Sequence, residues 1–452
     1  MATRTTLDTA TLRQMDIDHM LHPVTNLHRH AKSGPLTMVR GEGSKIWDSD
    51  GKEYIDAFAG LWNVNVGHGR TGIAEAARGQ IQELAYAPTF FGLATPPVIE
   101  LAAKLAQMYP GPVNHFQFTS GGAESNETAM KIARYYWSIQ GKTDKIKIIS
   151  RMMGYHGIAM GALSATGIPA YWANFGPRPE GFVHLSAPYA YRNAGELDED
   201  GFVDALVKEL EEMIEREGAD TIAAMIGEPV QGAGGVVVPP ERYWSAIKEV
   251  LERQNILLIA DEVITGFGRT GSMFGVEQYN VQPDIVSVAK GITSGYIPLG
   301  AVGVSDTIYE QMLEPDAMFM HGFTYSGHPV GCAVALANID IIERENLPAN
   351  AGEQGAYLLS RLEELLGHQN VGNVRGKGLM MLVEVVQDKG TKQPFDAASG
   401  VGTRLTAATR ERGIIVRAAD NGIAIAPPLV LTRSEADQVA GAIQDSIVEV
   451  FG

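Results

Sequence analysis

The chain has a single cysteine, Cys332, among 452 residues, so no intrachain disulfide framework can hold it together. That cysteine lies in Gly331–Ala337 (GCAVALA), which reads as a packed helix, and is expected to be buried filler rather than a nucleophile. No apolar run approaches the roughly 20 residues that a bilayer-spanning helix needs. The first residues (MATRTTLDTATLRQMDIDHM) contain no apolar core of the kind a secretory signal carries. A soluble cytoplasmic protein is expected. Positive charge is scarce: the formal net charge is −17, which disfavours nucleic acid or an anionic membrane as partner. Low-complexity tracts and internal repeats are absent, and no metal site is expected.

What is present is globular. Hydrophobic residues make up 45% and charged residues 20% of the chain, enough for a large core spread over two or three domains. Strand-like runs at Phe116–Phe118, Ile146–Ser150, Thr221–Ile226, Ile256–Ala260, Ile285–Ala289 and Gly300–Val304 alternate with helical periodicity. The clearest helix is Phe202–Glu217, where Val203, Leu206, Leu210, Met213 and Ile214 form one stripe. This alternation predicts an α/β fold, a large and mostly parallel sheet covered by helices on both sides. Lys45–Asp56 reads as a hairpin around Asp50-Gly51. After Gly331 a long helical stretch leads to short strands at Leu379–Val385 and Ile423–Ala426, flanking a helix Gly402–Arg412. Both chain ends are expected to build a smaller α+β domain, residues 1–75 with 336–452, beside a large domain at 76–335. Thr166–Asp200 shows no periodicity and reads as a long loop, of a length that is usually functional or mobile.

The chemistry is expected at the carboxyl ends of the strands, where open α/β sheets bind ligands. Lys290 closes the apolar run Asp284–Ala289, and Asp261 closes Ile256–Ala260. Alone, such an Asp is usually a cap and such a Lys a solvated loop residue. A lysine ending a buried strand is costly unless neutralised, paired or covalently used, and can form a Schiff base with a carbonyl. An aspartate at a neighbouring strand end can hold a pyridinium nitrogen. After Phe116–Phe118 the turn Thr119-Ser120-Gly121-Gly122-Ala123 opens a helix and aims backbone N–H groups at an anion. Glu228 and Gln231 follow another strand, and Tyr155-His156-Gly157 follows a third, with the Tyr155 ring able to stack on a planar cofactor. An anion cradle, an aromatic platform, an acid and an amine at one rim are the parts that pyridoxal phosphate needs. A nicotinamide site has no use for Lys290. It also calls for an acidic residue about 20 positions after the Gly-rich turn, where Trp137–Lys145 offers only Asp144.

From about Leu36 to the end the chain resembles the class III aminotransferases, fold-type-I pyridoxal-phosphate enzymes that include the ω-amino acid:pyruvate and amine:pyruvate transaminases. The resemblance is carried by Gly60-Leu61-Trp62 with Asn65-Val66-Gly67-His68-Gly69, by Tyr155-His156-Gly157 and by Glu228–Gly235 (EPVQGAGG). It continues in Ala260–Gly271 (ADEVITGFGRTG), Ala289-Lys290-Gly291 and His321–Pro329 (HGFTYSGHP). It implies that Lys290 holds the cofactor and shuttles a proton, and that Asp261 pairs with the ring nitrogen. Tyr155 and Val263 would flank the ring, with Gln231 near its hydroxyl. Ser120, Gly121, Gly122, Ala123, His156 and Glu228 would complete the cofactor site. Thr324 would reach the phosphate held by a partner subunit, implying a homodimer with shared sites; whether dimers pair into tetramers stays open. Trp62, Phe91 and Tyr155 would wall the substrate pocket.

Arg417 would bind the carboxylate of the keto acid and swing out for an uncharged amine. Glu228 would either pair with Arg417 or order the pocket. Two positions depart from the pattern. The phosphate turn usually reads Ser-Gly-Ser or Ser-Gly-Thr, and Gly121, Gly122 and Ala123 lack that hydroxyl, which lowers the expected cofactor affinity. Asn63 stands where the amine:pyruvate relatives often carry Cys. The expected reaction moves an amino group from an amine or ω-amino acid to pyruvate by a ping-pong route. The alternatives are a diamine, taurine or β-alanine:pyruvate transaminase, or a decarboxylase or aminomutase on the same fold.

Overall fold

The computed structural model describes residues 7–419 and 421–452. Fifteen strands are named here in chain order among those residues. The first three are β1 (Met38–Glu42), β2 (Lys45–Asp48) and β3 (Glu53–Asp56), followed by β4 (Val113–Thr119), β5 (Lys147–Arg151), β6 (Phe182–Leu185) and β7 (Ile222–Gly227). Next come β8 (Leu257–Asp261), β9 (Ile285–Val288), β10 (Gly300–Ser305), β11 (Val371–Gly376) and β12 (Met381–Val385). The last are β13 (Ile414–Ile415), β14 (Arg417–Ala419) and β15 (Gly422–Ile425).

A seven-stranded sheet, ordered β4-β10-β9-β8-β7-β5-β6, forms the centre of the molecule. Strand β10 runs antiparallel to both of its neighbours, and the strands from β9 to β6 pair in parallel. The central strands are built from Ile, Val, Leu and Ala, and every residue of β7, β8 and β9 is buried. Their two-residue period divides them between two apolar layers. Leu257, Ile259 and Ile285 face the layer covered by the helix Gly122–Ile139. Leu258, Ala260, Val286 and Val288 face the layer that holds the helices Glu199–Glu217 and Tyr243–Arg253. The predicted stripe of the first of those helices is the buried one.

Register brings the chemistry to one edge. Asp261 at the end of β8 pairs with Ser287 of β9, so Asp261 and the Lys290 turn beyond β9 leave the sheet at the same rim. The hairpin β2–β3 forms as expected, and β13 pairs with β3 in parallel, Ile414 opposite Ile55, joining the two ends of the chain. A second four-stranded sheet, β11-β12-β15-β14, carries Arg417 on its outer strand.

One loop expectation is corrected. Within Thr166–Asp200 the chain forms the edge strand β6, paired to β5, and a short helix Ala190–Asn193. Only Leu185 of the four β6 residues is buried, so no alternation betrays the strand. Among the described residues no helix is long and apolar enough to cross a membrane.

Candidate active site

A cavity of about 920 Å³ opens beyond the carboxyl ends of β5, β7, β8 and β9. Lys290, Asp261, Tyr155, His156, Val263, Glu228, Gly122 and Ala123 line it, together with Trp62 and Arg417. Lys290 begins a 3₁₀ turn with φ +46°, a left-handed conformation uncommon for a residue with a side chain. Its amine makes no hydrogen bond or ion pair with a described residue. Burial pushes this amine down to about 8 from an ordinary 10.5, against the pull of the Asp261 and Glu228 carboxylates.

Asp261 is buried, and its carboxylate is held from three sides. Oδ2 accepts from His156 Nδ1 at 2.7 Å and from Asn126 Nδ2 at 2.8 Å, and Oδ1 accepts from the Val263 N–H at 3.1 Å. Because an ionised carboxylate only accepts, these bonds place the His156 proton on Nδ1. Asn126 also donates to the His156 carbonyl at 2.9 Å, which ties the ring to the helix Gly122–Ile139. Nothing in the residue pattern points to this network, although Asn126 lies three positions after the Gly-rich turn.

Glu228 does not pair with Arg417. Its Oε1 accepts from the Tyr155 N–H at 2.9 Å and its Oε2 from the Gly232 N–H at 2.7 Å, so it orders the two loops of the rim. Burial, with Asp261 nearby, raises its pKa above the usual carboxylate range, opposed by His156. Arg417 instead lies with its guanidinium 5.8 Å from the centre of the Phe58 ring and makes no hydrogen bond or ion pair with a described residue. Trp62 packs edge-on against the same ring at 4.8 Å, completing an aromatic wall.

The helix Gly122–Ile139 begins at the cavity, and neither Gly121 nor a neighbour caps its first turn with a side chain. A Cβ on Gly122 would stand 2.8 Å from Val263, so only glycine lets this helix end approach the wall opposite Tyr155. Gly157, at φ +121°, has its own Cβ position blocked by Ala123 at 2.7 Å.

Several expected residues lie outside this cavity. Ser120 donates its N–H to Glu124 at 2.8 Å, and Gly121 sits behind the lining. Gln231 is buried and donates to the Met152 carbonyl at 3.0 Å, bracing the loop that leads to Tyr155. Thr324 is exposed, its carbonyl accepting from the Tyr86 hydroxyl at 2.6 Å. Phe91 does not wall the cavity of its own chain: it is 97% exposed, on a turn with φ +59° that aims the ring outward. Conversely Pro23, Val24 and Leu36, near the N-terminus, line the mouth, and nothing in their sequence pattern marks them.

The donor set fits pyridoxal phosphate. The unpaired amine suits an aldehyde, the Asp261 carboxylate retains acceptor capacity for a cationic ring nitrogen, and the open helix end suits a phosphate. The fold and this set together define a fold-type-I pyridoxal-phosphate transferase.

Comparison with known proteins makes the assignment specific: residues 27–447 match the family model for class-III aminotransferases, and the chain belongs to that family. It is 43% identical over 423 residues to a putrescine–pyruvate aminotransferase of Pseudomonas aeruginosa, covering 93% of this chain and 92% of that one. It is also 43% identical over 440 residues to a diaminobutyrate–2-oxoglutarate transaminase of Halomonas elongata, covering 95% and 94%. Among solved structures, a thermostable (S)-enantioselective omega-transaminase from Thermomicrobium roseum superimposes with a TM-score of 0.98 at 62% identity, covering 99% of this chain and 100% of that one. The chain is thus a pyridoxal-phosphate-dependent aminotransferase.

Proposed function

We propose that the enzyme moves an amino group from a small amine or ω-amino acid to pyruvate in two half-reactions at one site. The observation that carries this reading is a Lys290 amine and an Arg417 guanidinium, neither with a hydrogen-bond or ion-pair partner among the described residues, in one cavity whose apolar wall includes Phe58, Trp62, Ile264 and Val416. An apolar wall receives an uncharged substituent, and a guanidinium on the same wall receives a carboxylate by a bidentate bond. The relatives named above, one acting on putrescine with pyruvate and one an (S)-enantioselective omega-transaminase, support the same substrate class.

Pyridoxal phosphate, when bound, supplies an aldehyde that links to amines and a cationic ring that takes up the electron pair left when a carbon loses its proton. Lys290 would hold the cofactor covalently, and its amine, neutral when free, would move the proton. Asp261, fixed by His156 and Asn126, keeps the ring nitrogen protonated. Tyr155 and Val263 would flank the ring, and the N–H groups at the start of the helix Gly122–Ile139 would take the phosphate. Arg417 orients the keto acid and turns toward Phe58 when the donor has no carboxylate.

The same reading makes the enzyme a cytoplasmic homodimer. Met318, Met320 and Tyr325, close in sequence to Thr324, are exposed on one chain, as are Phe91 and Leu93. A second copy covers them, and brings Phe91 to its partner's substrate pocket and Thr324 to its partner's phosphate. The cofactor unit is then 76–335, closed by the unit formed from 1–75 and 336–452, whose first six residues lie outside the described ones.

A donor panel of β-alanine, putrescine, taurine and 1-phenylethylamine, with pyruvate as acceptor, tests the reaction. Alanine formed in parallel-line, ping-pong kinetics is expected. Carbon dioxide release without alanine overturns it.

A further inference from the structure

The helices Thr9–His19 and Leu27–Ser33 present an unusual problem. Neither buries a single side chain in the single chain, and helices of 11 and 7 residues are marginal alone. Yet the turn between them carries Pro23 and Val24 to the mouth of the active-site cavity. Arg13 Nη2 of the first helix donates to the Lys32 carbonyl of the second at 2.8 Å, and a cluster of three side chains joins them further. Asp16 Oδ2 lies 2.7 Å from His22 Nε2, and Asp16 Oδ1 lies 2.6 Å from His30 Nε2. The two imidazoles face each other with ring centres 4.2 Å apart, and the three side chains are only 12–21% exposed.

We propose that Asp16, His22 and His30 form a binding site for a divalent transition metal, with Zn²⁺ as the reference ion. One ligand atom from each residue falls within 4.8 Å of the others, and the site is empty here. Two imidazole nitrogens and one carboxylate oxygen are the donors that zinc takes, and three protein ligands leave a fourth position for water. With metal–ligand bonds of about 2.0–2.1 Å, tetrahedral donors stand about 3.3 Å apart. The two imidazole nitrogens now contact different oxygens of the same carboxylate, at 2.7 and 2.6 Å, so the side chains need only adjust within a cluster whose ligand atoms already lie within 4.8 Å of one another. In the empty site each Nε2 carries the proton shared with Asp16. Metal binding takes the Nε2 lone pair, so in each neutral ring that proton moves to Nδ1, no proton is released, and the Asp16 carboxylate offsets one of the ion's two positive charges. Calcium and magnesium, which prefer all-oxygen shells, are excluded by the two imidazoles.

An ion here locks the His22-Pro23-Val24 turn to both helices. It is therefore a clasp on the rim of the cavity, set apart from the reacting atoms. It stands whichever amine the enzyme accepts.

The test is calorimetric titration of the chelator-dialysed holoenzyme with Zn²⁺ alone. Wild type is compared with Asp16→Asn and with His30→Gln. One ion per chain is expected in wild type, with affinity falling at least about tenfold in each variant. Bound Co²⁺ should give visible ligand-field bands in wild type only. Metal should also slow proteolytic cutting ahead of β1. Unchanged cofactor absorbance and circular dichroism in the variants separate loss of the site from loss of the fold. Absence of saturable binding in wild type, or variants that bind as wild type does, overturns the proposal.

Discussion

Burial sets the Lys290 amine at about 8 where a free lysine stands at 10.5. Cofactor uptake by the cofactor-free enzyme needs the neutral amine, so its rate should climb with pH through a midpoint near 8. Stopped-flow absorbance reads this, and a midpoint above 10 contradicts it. Between those two values the unfolded chain holds a proton on this lysine that the folded one does not, so rising pH favours the folded cofactor-free enzyme. The Arg417 guanidinium has no hydrogen-bond or ion-pair partner among the described residues, so its removal leaves no buried partner charge behind among them. Arg417→Ala should raise the KM for pyruvate about 10–100-fold, the value of a charge-assisted bidentate contact, while turnover of an uncharged amine in the first half-reaction holds. Equal effects on both half-reactions, or none, contradict the assignment. At this scale the sequence was informative where one charged residue ends an apolar run, as Lys290 and Asp261 do. It was silent on the His156–Asp261–Asn126 network, whose members stand 105 and 135 positions apart and meet only through the fold.

The helix Gly122–Ile139 does two jobs: its side covers one face of the sheet, and its first turn faces the cavity. Ala123 supplies no hydroxyl at that turn. Ala123→Ser adds a donor beside the backbone N–H groups and should slow cofactor loss about 2–10-fold, the worth of one hydrogen bond. Dialysis followed by residual absorbance measures it; faster loss argues that the phosphate lies elsewhere. The Gly-rich turn, the helix after it and the buried strands were legible because their periodicity is strong. Strand β6 was not, since three of its four residues are only half-buried and its hydrogen bonds to β5 leave no trace in side-chain pattern.

At the scale of the whole molecule, the proposed homodimer makes each site depend on a second copy. Phe91 was expected at the substrate pocket and Thr324 at the phosphate of a partner subunit, and the fold leaves both exposed and outside the cavity of their own chain. The resemblance assigned a subunit to Thr324 but none to Phe91, because a residue pattern alone does not show which surfaces a second copy covers. If Thr324 acts across the interface, Lys290→Ala and Thr324→Ala homodimers should each be impaired, and mixed dimers should recover one working site, with Lys290 from one chain and Thr324 from the other. Activity after subunit exchange checks this; mixtures no better than their components contradict it.

The account as a whole stands on the covalent role of one amine. Borohydride reduction of the holoenzyme, followed by peptide mass spectrometry, examines it directly. The prediction is a pyridoxyl phosphate adduct on the peptide containing Lys290, and none in Lys290→Ala. An adduct on a different lysine, or no adduct at all, would contradict it.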